Sequence, residues 1–185
     1  MVAWLALVGL LTWLSFELVL RQGGESRRVS GPGDVSRSTQ VLLVSYAVVL
    51  AVVVACLILQ LRPIAIAFRW LGCALLAAGL ALRAWAMILL RNSYSRGLQV
   101  SEGQRLVTAG PYRVVRHPGY AGSLLVWVGF ALGLGSWVAT ILAAVLLGAA
   151  YAYRISAEER MLRAEFGRAY GDYQRATWRL IPGLF

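Results

Sequence analysis

Lysine is absent from this chain, histidine occurs once, as His117, and cysteine twice, as Cys56 and Cys73. The first absence removes Schiff-base and lysine general-base chemistry. Neither cysteine has a second Cys or a His at metal-ligand spacing, so no metal site is expected, and both lie in apolar runs where small packing residues belong. Charge is scarce: 14% of the 185 residues are charged against 59% hydrophobic, and the mean hydropathy is positive. That balance lies outside soluble composition and indicates an integral membrane protein. The net charge of +10 does not indicate a nucleic-acid partner, because the arginines gather at the ends of apolar runs, where membrane topology puts them. A Gly-rich nucleotide fingerprint, an internal repeat and a heptad series are all missing. So are the basic start and small-residue cleavage signal of a secretory peptide, and residues 1 to 20 read as an uncleaved first span.

What is present is hydrophobic length. Apolar blocks cover residues 1–20, 41–61, 64–90 and 120–153, and about 20 residues suffice for one helix to cross a bilayer. The last block is too long for one helix, and Gly133-Leu134-Gly135-Ser136-Trp137 offers a turn inside it. The expectation is therefore an all-α integral membrane fold of about five transmembrane helices, ending in a short helical hairpin and an amphipathic C-terminal helix. Residues 1–63 form a two-helix N-terminal membrane region and 64–185 the core. Residues 21–40 form a Gly- and Ser-rich linker expected to be mobile. Pro63 is placed to end one helix and start the next.

Arginine counts orient the chain. Segments 21–40, 91–119 and 154–185 hold four, five and six arginines, whereas the opposite side holds only Arg62 and Arg69. The positive-inside rule then puts the N-terminus outside and the C-terminus in the cytoplasm. Residues 154–175 carry Ile155, Met161, Leu162, Phe166 and Tyr170 at amphipathic spacing, continuing the fifth span or lying along the inner interface.

Chemistry concentrates in two places. In Gly110-Pro111-Tyr112-Arg113-Val114-Val115-Arg116-His117-Pro118-Gly119-Tyr120-Ala121-Gly122, prolines restrict the backbone and glycines permit close approach. The loop leads into a helix whose first N–H groups can face an anion. His117 can bind a ligand there or simply cap the helix. The second place is Arg154-Ile155-Ser156-Ala157-Glu158-Glu159, where Arg154 and Glu158 share a helix face. One reading is an exposed ion pair plus a solvated acid; the other is a charged site for an amphiphilic ligand at the membrane boundary. Arg83 lies two turns before its block ends, able to snorkel to the interface or to meet Glu17, Glu158 or Glu159. Trp85, Trp127 and Trp137 read as core or interface-belt aromatics.

The series Tyr94-Ser95-Arg96-Gly97-Leu98-Gln99, the run from Gln104 to Gly122, Arg154 to Glu159 and Phe166 to Phe185 together resemble the isoprenylcysteine carboxyl methyltransferase family and the wider group of membrane phospholipid methyltransferases. The resemblance covers the C-terminal 100 or so residues, in order and spacing. It implies an S-adenosylmethionine pocket on the cytoplasmic side, closed by the C-terminal region and open laterally to lipid. By motif match, Gln99, Gln104, Arg105, Leu106, Val107, Tyr112, His117, Pro118, Gly119, Tyr120 and Glu158 contact the cofactor, and Arg154 faces the substrate carboxylate. The family often has His where Gln104 stands here, which puts the weight at that position on backbone contacts.

The implied reaction forms a methyl ester on a lipidic or prenylated small-molecule acceptor, with membrane lipids as surroundings and no nucleic acid. N-methylation of a phospholipid or other hydrophobic amine is the alternative chemistry. A non-catalytic scaffold or transporter predicts no saturable S-adenosylmethionine binding, and a reductase with the same C-terminal architecture predicts nicotinamide-cofactor binding instead.

Overall fold

The computed structural model describes residues 1–22, 33–59, 64–90 and 106–184, with backbone alone at 16, 18–22 and 33–36. The described part is helical: α1 (Val2–Gln22), α2 (Gly33–Ile58), α3 (Ile66–Leu90), a 3-10 turn (Gly110–Arg113), α4 (Pro118–Leu134) and α5 (Trp137–Ala176). Helices are what an apolar chain must form in lipid, where each backbone N–H and C=O needs a partner within its own segment. Spans Arg37–Ile58, Ile66–Leu90 and Trp137–Ala176 are long and apolar enough to cross a membrane. The apolar stretches Val2–Ser15 and Pro118–Leu134 are shorter, and five crossings require both to traverse as well. Pro63 and half of the expected linker, residues 23–32, lie outside the described residues; the other half is helical, because α1 runs to Gln22 and α2 already begins at Gly33.

The last apolar block is divided where the sequence indicates. Gly135, at φ 99°, ends α4 and donates its N–H to the carbonyls of Ala131 and Leu132; glycine takes this left-handed conformation without a Cβ penalty. Ser136 then caps α5, its hydroxyl accepting from the Ala139 N–H at 3.3 Å. Of the two arrangements open to residues 154–175, the chain adopts continuation: α5 runs for 40 residues, interrupted only by a kink at Gly167.

Packing of α3 on α4 depends on missing side chains. Gly72 and Gly79 of α3 face Gly122, Gly129 and Gly133 of α4 so closely that an added Cβ would meet opposing backbone. Such small-residue contacts drive helix association in membranes, where apolar burial gives no net advantage over lipid. A Cβ at Gly79 would lie 2.6 Å from the Gly122 carbonyl oxygen and 2.8 Å from the Val126 nitrogen. Gly79→Ala should therefore lower stability by about 1–3 kcal/mol, read as a fall in thermal midpoint in detergent. Gly148→Ala, whose Cβ meets nothing within 4 Å, should leave the midpoint unchanged.

Around that pair, α1 packs on α3 and α4, and α2 packs along α5. The junction holds an aromatic cluster: Tyr46 stacks on Trp127 at 5.0 Å, Trp13 meets both edge-on, and the Tyr46 and Tyr151 hydroxyls lie 2.7 Å apart. Trp127 is buried, whereas Trp85 and Trp137 are exposed. Cys56 and Cys73 are both free thiols, the first within the core. Beyond α5 the chain turns back, and Trp178 pairs with Val115 in a single parallel bridge. Its carbonyl accepts from the Arg116 N–H at 2.8 Å, and its own N–H donates to the Val114 carbonyl at 2.9 Å. The C-terminal tail is thereby hooked onto the loop that precedes α4.

Candidate functional site

The loop between α3 and α4 is shaped first by Gly110, at φ 59°, where a Cβ would also strike Leu89 at 2.6 Å. Pro111 opens the 3-10 turn and Tyr112 is buried within it. The Tyr112 carbonyl accepts from the Tyr173 hydroxyl of α5 at 2.7 Å, which ties the loop to the far end of the bundle. His117 stands at the N-cap of α4 with Pro118 in the first turn, where the missing proline N–H costs nothing. Its side chain makes no capping bond. Instead the imidazole turns toward α5, with Nδ1 3.7 Å from Glu158 Oε2 and Nε2 3.5 Å from Glu159 Oε1. The Nε2 atom is buried and has no hydrogen-bond partner.

These elements enclose a cavity of about 320 Å³, at the lower end of the roughly 300–1,000 Å³ typical of small-molecule sites. Leu106, Val107, Tyr112, His117, Gly119, Tyr120, Arg154 and Glu158 all line it. The structure thus brings together residues from two separated sequence motifs, Gln104 to Gly122 and Arg154 to Glu159. Pro118 is buried but does not form part of the lining. Gln99, Gln104 and Arg105 lie outside the described residues.

The charges in the wall are arranged in pairs. Glu158 accepts from the Tyr120 hydroxyl and from Arg154 Nε at 3.1 Å. The Arg154 guanidinium also reaches α2, donating to Ser38 Oγ at 3.0 Å and Thr39 Oγ1 at 2.6 Å. Side-chain exposures of 16% for Arg154 and 9% for Glu158 exclude the exposed ion pair of the simpler reading. Nor is Glu159 a solvated acid. At 2% side-chain exposure it accepts from Arg116 Nε at 2.9 Å and from Arg179 Nε and Nη2 at 3.1 and 2.8 Å.

Arg83 does not snorkel to the interface. It turns inward and donates to Glu17 Oε2 at 2.5 Å, the Gly119 carbonyl at 2.9 Å and Ser123 Oγ at 2.7 Å. Those three acceptors compensate the cost of burying a guanidinium. Of the acids the sequence offers as partners, α1 supplies the one used.

Several further wall residues are ones to which the motif match assigned no role. Glu17, Thr39, Leu42 and Tyr46 belong to α1 and α2, and Leu162, Phe166, Tyr170 and Tyr173 to the distal part of α5. The α5 group was accessible from its helical spacing, Phe166, Tyr170 and Tyr173 lying three and four residues apart on one face. No local signal marks the α1 and α2 residues. Apolar wall from Leu42, Met87, Leu90, Leu162 and Phe166 adjoins the charged end, so the cavity suits an amphiphile.

The sequence profile described as phospholipid methyltransferase matches residues 67–169. A probable protein-S-isoprenylcysteine O-methyltransferase of Oryza sativa subsp. indica is 28% identical over 97% of this chain and 95% of its own length. Methanethiol S-methyltransferase 2 of Bradyrhizobium diazoefficiens is 40% identical over 49% of this chain and 33% of its own. The fold is similar to that of a eukaryotic intramembrane Ras methyltransferase (isoprenylcysteine carboxyl methyltransferase), with a TM-score of 0.67 at 23% identity. That match covers 75% of this chain and 52%, about half, of the solved one.

Proposed function

Because this chain belongs to the phospholipid methyltransferase family, we propose that it is an integral membrane methyltransferase that moves a methyl group from S-adenosylmethionine to a lipid-borne carboxylate of the isoprenylcysteine type. The observation that carries this reading is the convergence of Tyr112, His117, Tyr120, Glu158 and Arg154 on one cavity whose remaining wall is apolar. The name of the Oryza relative, which this chain matches along nearly the whole of both lengths, supports the ester-forming version.

The residues fit the cofactor. An amino acid moiety needs a carboxylate for its ammonium group, and Glu158 supplies one that is largely withdrawn from water. A polar ligand also needs hydrogen-bonding side chains beside that carboxylate, and His117 and Tyr120 line the same end of the cavity. Loop backbone at Leu106 and Val107 completes that side of the wall. When bound, the sulfonium cofactor supplies an activated methyl group and a good leaving group.

The chain's own task is then positioning. A carboxylate of reference pKa about 4 is ionised at neutral pH, so no general base is needed. Arg154 orients it through charge-assisted hydrogen bonds. The apolar wall takes the lipid chain and excludes water, and alignment of this kind can contribute roughly 7–11 kcal/mol. An ammonium group at Glu158 would compete with Arg154 for the same oxygen, freeing the guanidinium for the acceptor. The arginine distribution assigns the charged end of the cavity to the cytoplasmic side.

Purified protein supplied with methyl-labelled S-adenosylmethionine and a farnesylcysteine analogue should yield a base-labile methyl ester. Label appearing only in amine- or thiol-linked products of a membrane-lipid extract would reassign the acceptor. N-methylation is the second reading, carried by the family's description, and pH separates the two. With a carboxylate acceptor the rate should rise through the acceptor's pKa near 4 and stay flat above about pH 6. An amine acceptor must lose its proton before attack, so its rate should keep rising toward the amine pKa.

A further inference from the structure

Behind the cavity wall, on the outer side of the C-terminal hook, lies a second, open groove of about 400 Å³ lined by Arg116, Arg163, Gln174, Thr177, Trp178 and Arg179. We propose that this groove binds the phosphate headgroup of an anionic membrane lipid, whichever acceptor the enzyme methylates.

Charge comes first. Three of the six lining residues are arginines and none is acidic. The carboxylate that all three face is Glu159, at 2.9 Å from Arg116, 2.8 Å from Arg179 and 3.9 Å from Arg163. Among the described residues, one carboxylate is thus shared by three guanidiniums, an arrangement that favours a further anion. Arg163 holds the weakest of these contacts and has a side chain 56% exposed, so its planar donor fork is presented to solvent, suited to bidentate phosphate recognition.

Depth in the membrane comes second. The Val115–Trp178 bridge lies three residues before Pro118, where the apolar α4 begins, so the groove sits at the level where that helix leaves the headgroup region. Trp178 is exposed there, and Ile181 and Leu184 follow it on the same exposed tail. Tryptophan at this level is characteristic of the membrane interface, and apolar side chains beside an arginine cluster match a lipid surface better than a soluble anion.

A lipid in this groove would act on the enzyme through Arg116, which lines both the groove and the methyl-transfer cavity. Its guanidinium donates to the Gln174 carbonyl at 3.0 Å and to the Thr177 carbonyl, the residues that lead the chain into the hook. An anion set against the three arginines from outside would stabilise that closure.

The test compares thermal midpoints of the full chain in nanodiscs of phosphatidylcholine alone and of phosphatidylcholine with phosphatidylglycerol. The unmodified protein should melt higher with phosphatidylglycerol. Arg163→Glu should lose most of that rise, and Arg163→Gln a part of it. Arg175→Glu, outside the groove and paired with Asp172, should keep the rise although the change in net charge is the same as in Arg163→Glu. An undiminished rise in both Arg163 variants, or an equal loss in Arg163→Glu and Arg175→Glu, would overturn the assignment. So would an equal rise produced by inorganic phosphate in phosphatidylcholine nanodiscs, which would identify a free anion as the ligand.

Discussion

Glu159→Ala should lower the thermal midpoint more than any other single change in the charged region, and should abolish S-adenosylmethionine binding with it. The side chain is 2% exposed and accepts from two guanidiniums, Arg116 and Arg179. Its removal leaves both without their carboxylate inside the protein, a situation that typically costs about 3–5 kcal/mol. The damage would spread along the chain. Arg116 tethers Gln174 and Thr177, and its backbone N–H holds Trp178; once the guanidinium is repelled, the hook loses its anchor and the cavity one of its lining side chains, Arg116 itself. Glu159→Gln, which keeps the volume and one acceptor oxygen, should fall between the two. The measurements are melting in detergent and limited proteolysis, which should cut the tail beyond Ala176 in the Ala variant while sparing it in the unmodified protein. A normal midpoint together with an intact tail would show that the arginines are held by other groups.

Glu158 and Glu159 also show what the sequence could and could not convey. Adjacent acids look equivalent in a string, yet one residue of helix is a rotation of about 100°. Glu158 therefore faces the cavity while Glu159 enters the arginine cluster behind it. The break between α4 and α5 was legible because Gly135 and Ser136 are local stop and start signals. The continuation of α5 as far as its kink at Gly167 follows from absences: between Gly148 and Gly167 there is no Gly or Pro, and Ala157 to Glu165 are strong helix formers. Glycines at 72, 79, 122 and 129 lie at seven-residue intervals within each helix, a pattern available in the string. Which helix each set would meet was not. Long-range pairs are illegible for the same reason. Arg83 and Glu17 are 66 residues apart, and Arg154 and Ser38 are 116 apart, so nothing local selects one acid or hydroxyl over another. The loop from Gly110 to Gly122 was legible as a shaped polar interruption. That its histidine would turn from the helix cap toward two carboxylates required α5 to be in place.

Arg154→Ala and Glu158→Gln should separate into two kinetic phenotypes even though the side chains are bonded to each other. Both belong to one partly buried pair, so each truncation also strands its partner, and losses of about 2–5 kcal/mol are usual for such pairs. The proposed roles nevertheless predict different parameters. Arg154→Ala removes the group that orients the acceptor carboxylate, so kcat/KM for the prenylcysteine analogue should fall roughly 100-fold or more, with the S-adenosylmethionine Kd changed much less. Glu158→Gln removes the countercharge for the donor's ammonium group, so that Kd should weaken by a similar factor, while acceptor kinetics at saturating donor should recover in part. The double variant then measures how far the two effects share one interaction. If the proposed exchange at Glu158 Oε1 operates, the coupling should be strong without donor and weak once donor is bound, because Arg154 has by then been released. Saturating donor concentrations reached equally by both variants, with matching acceptor losses, would mean that the pair serves only to join α5 to α2 through Ser38 and Thr39. Each variant's thermal midpoint fixes the temperature below which it is folded, so a kinetic loss measured well below that midpoint assigns the effect to the cavity.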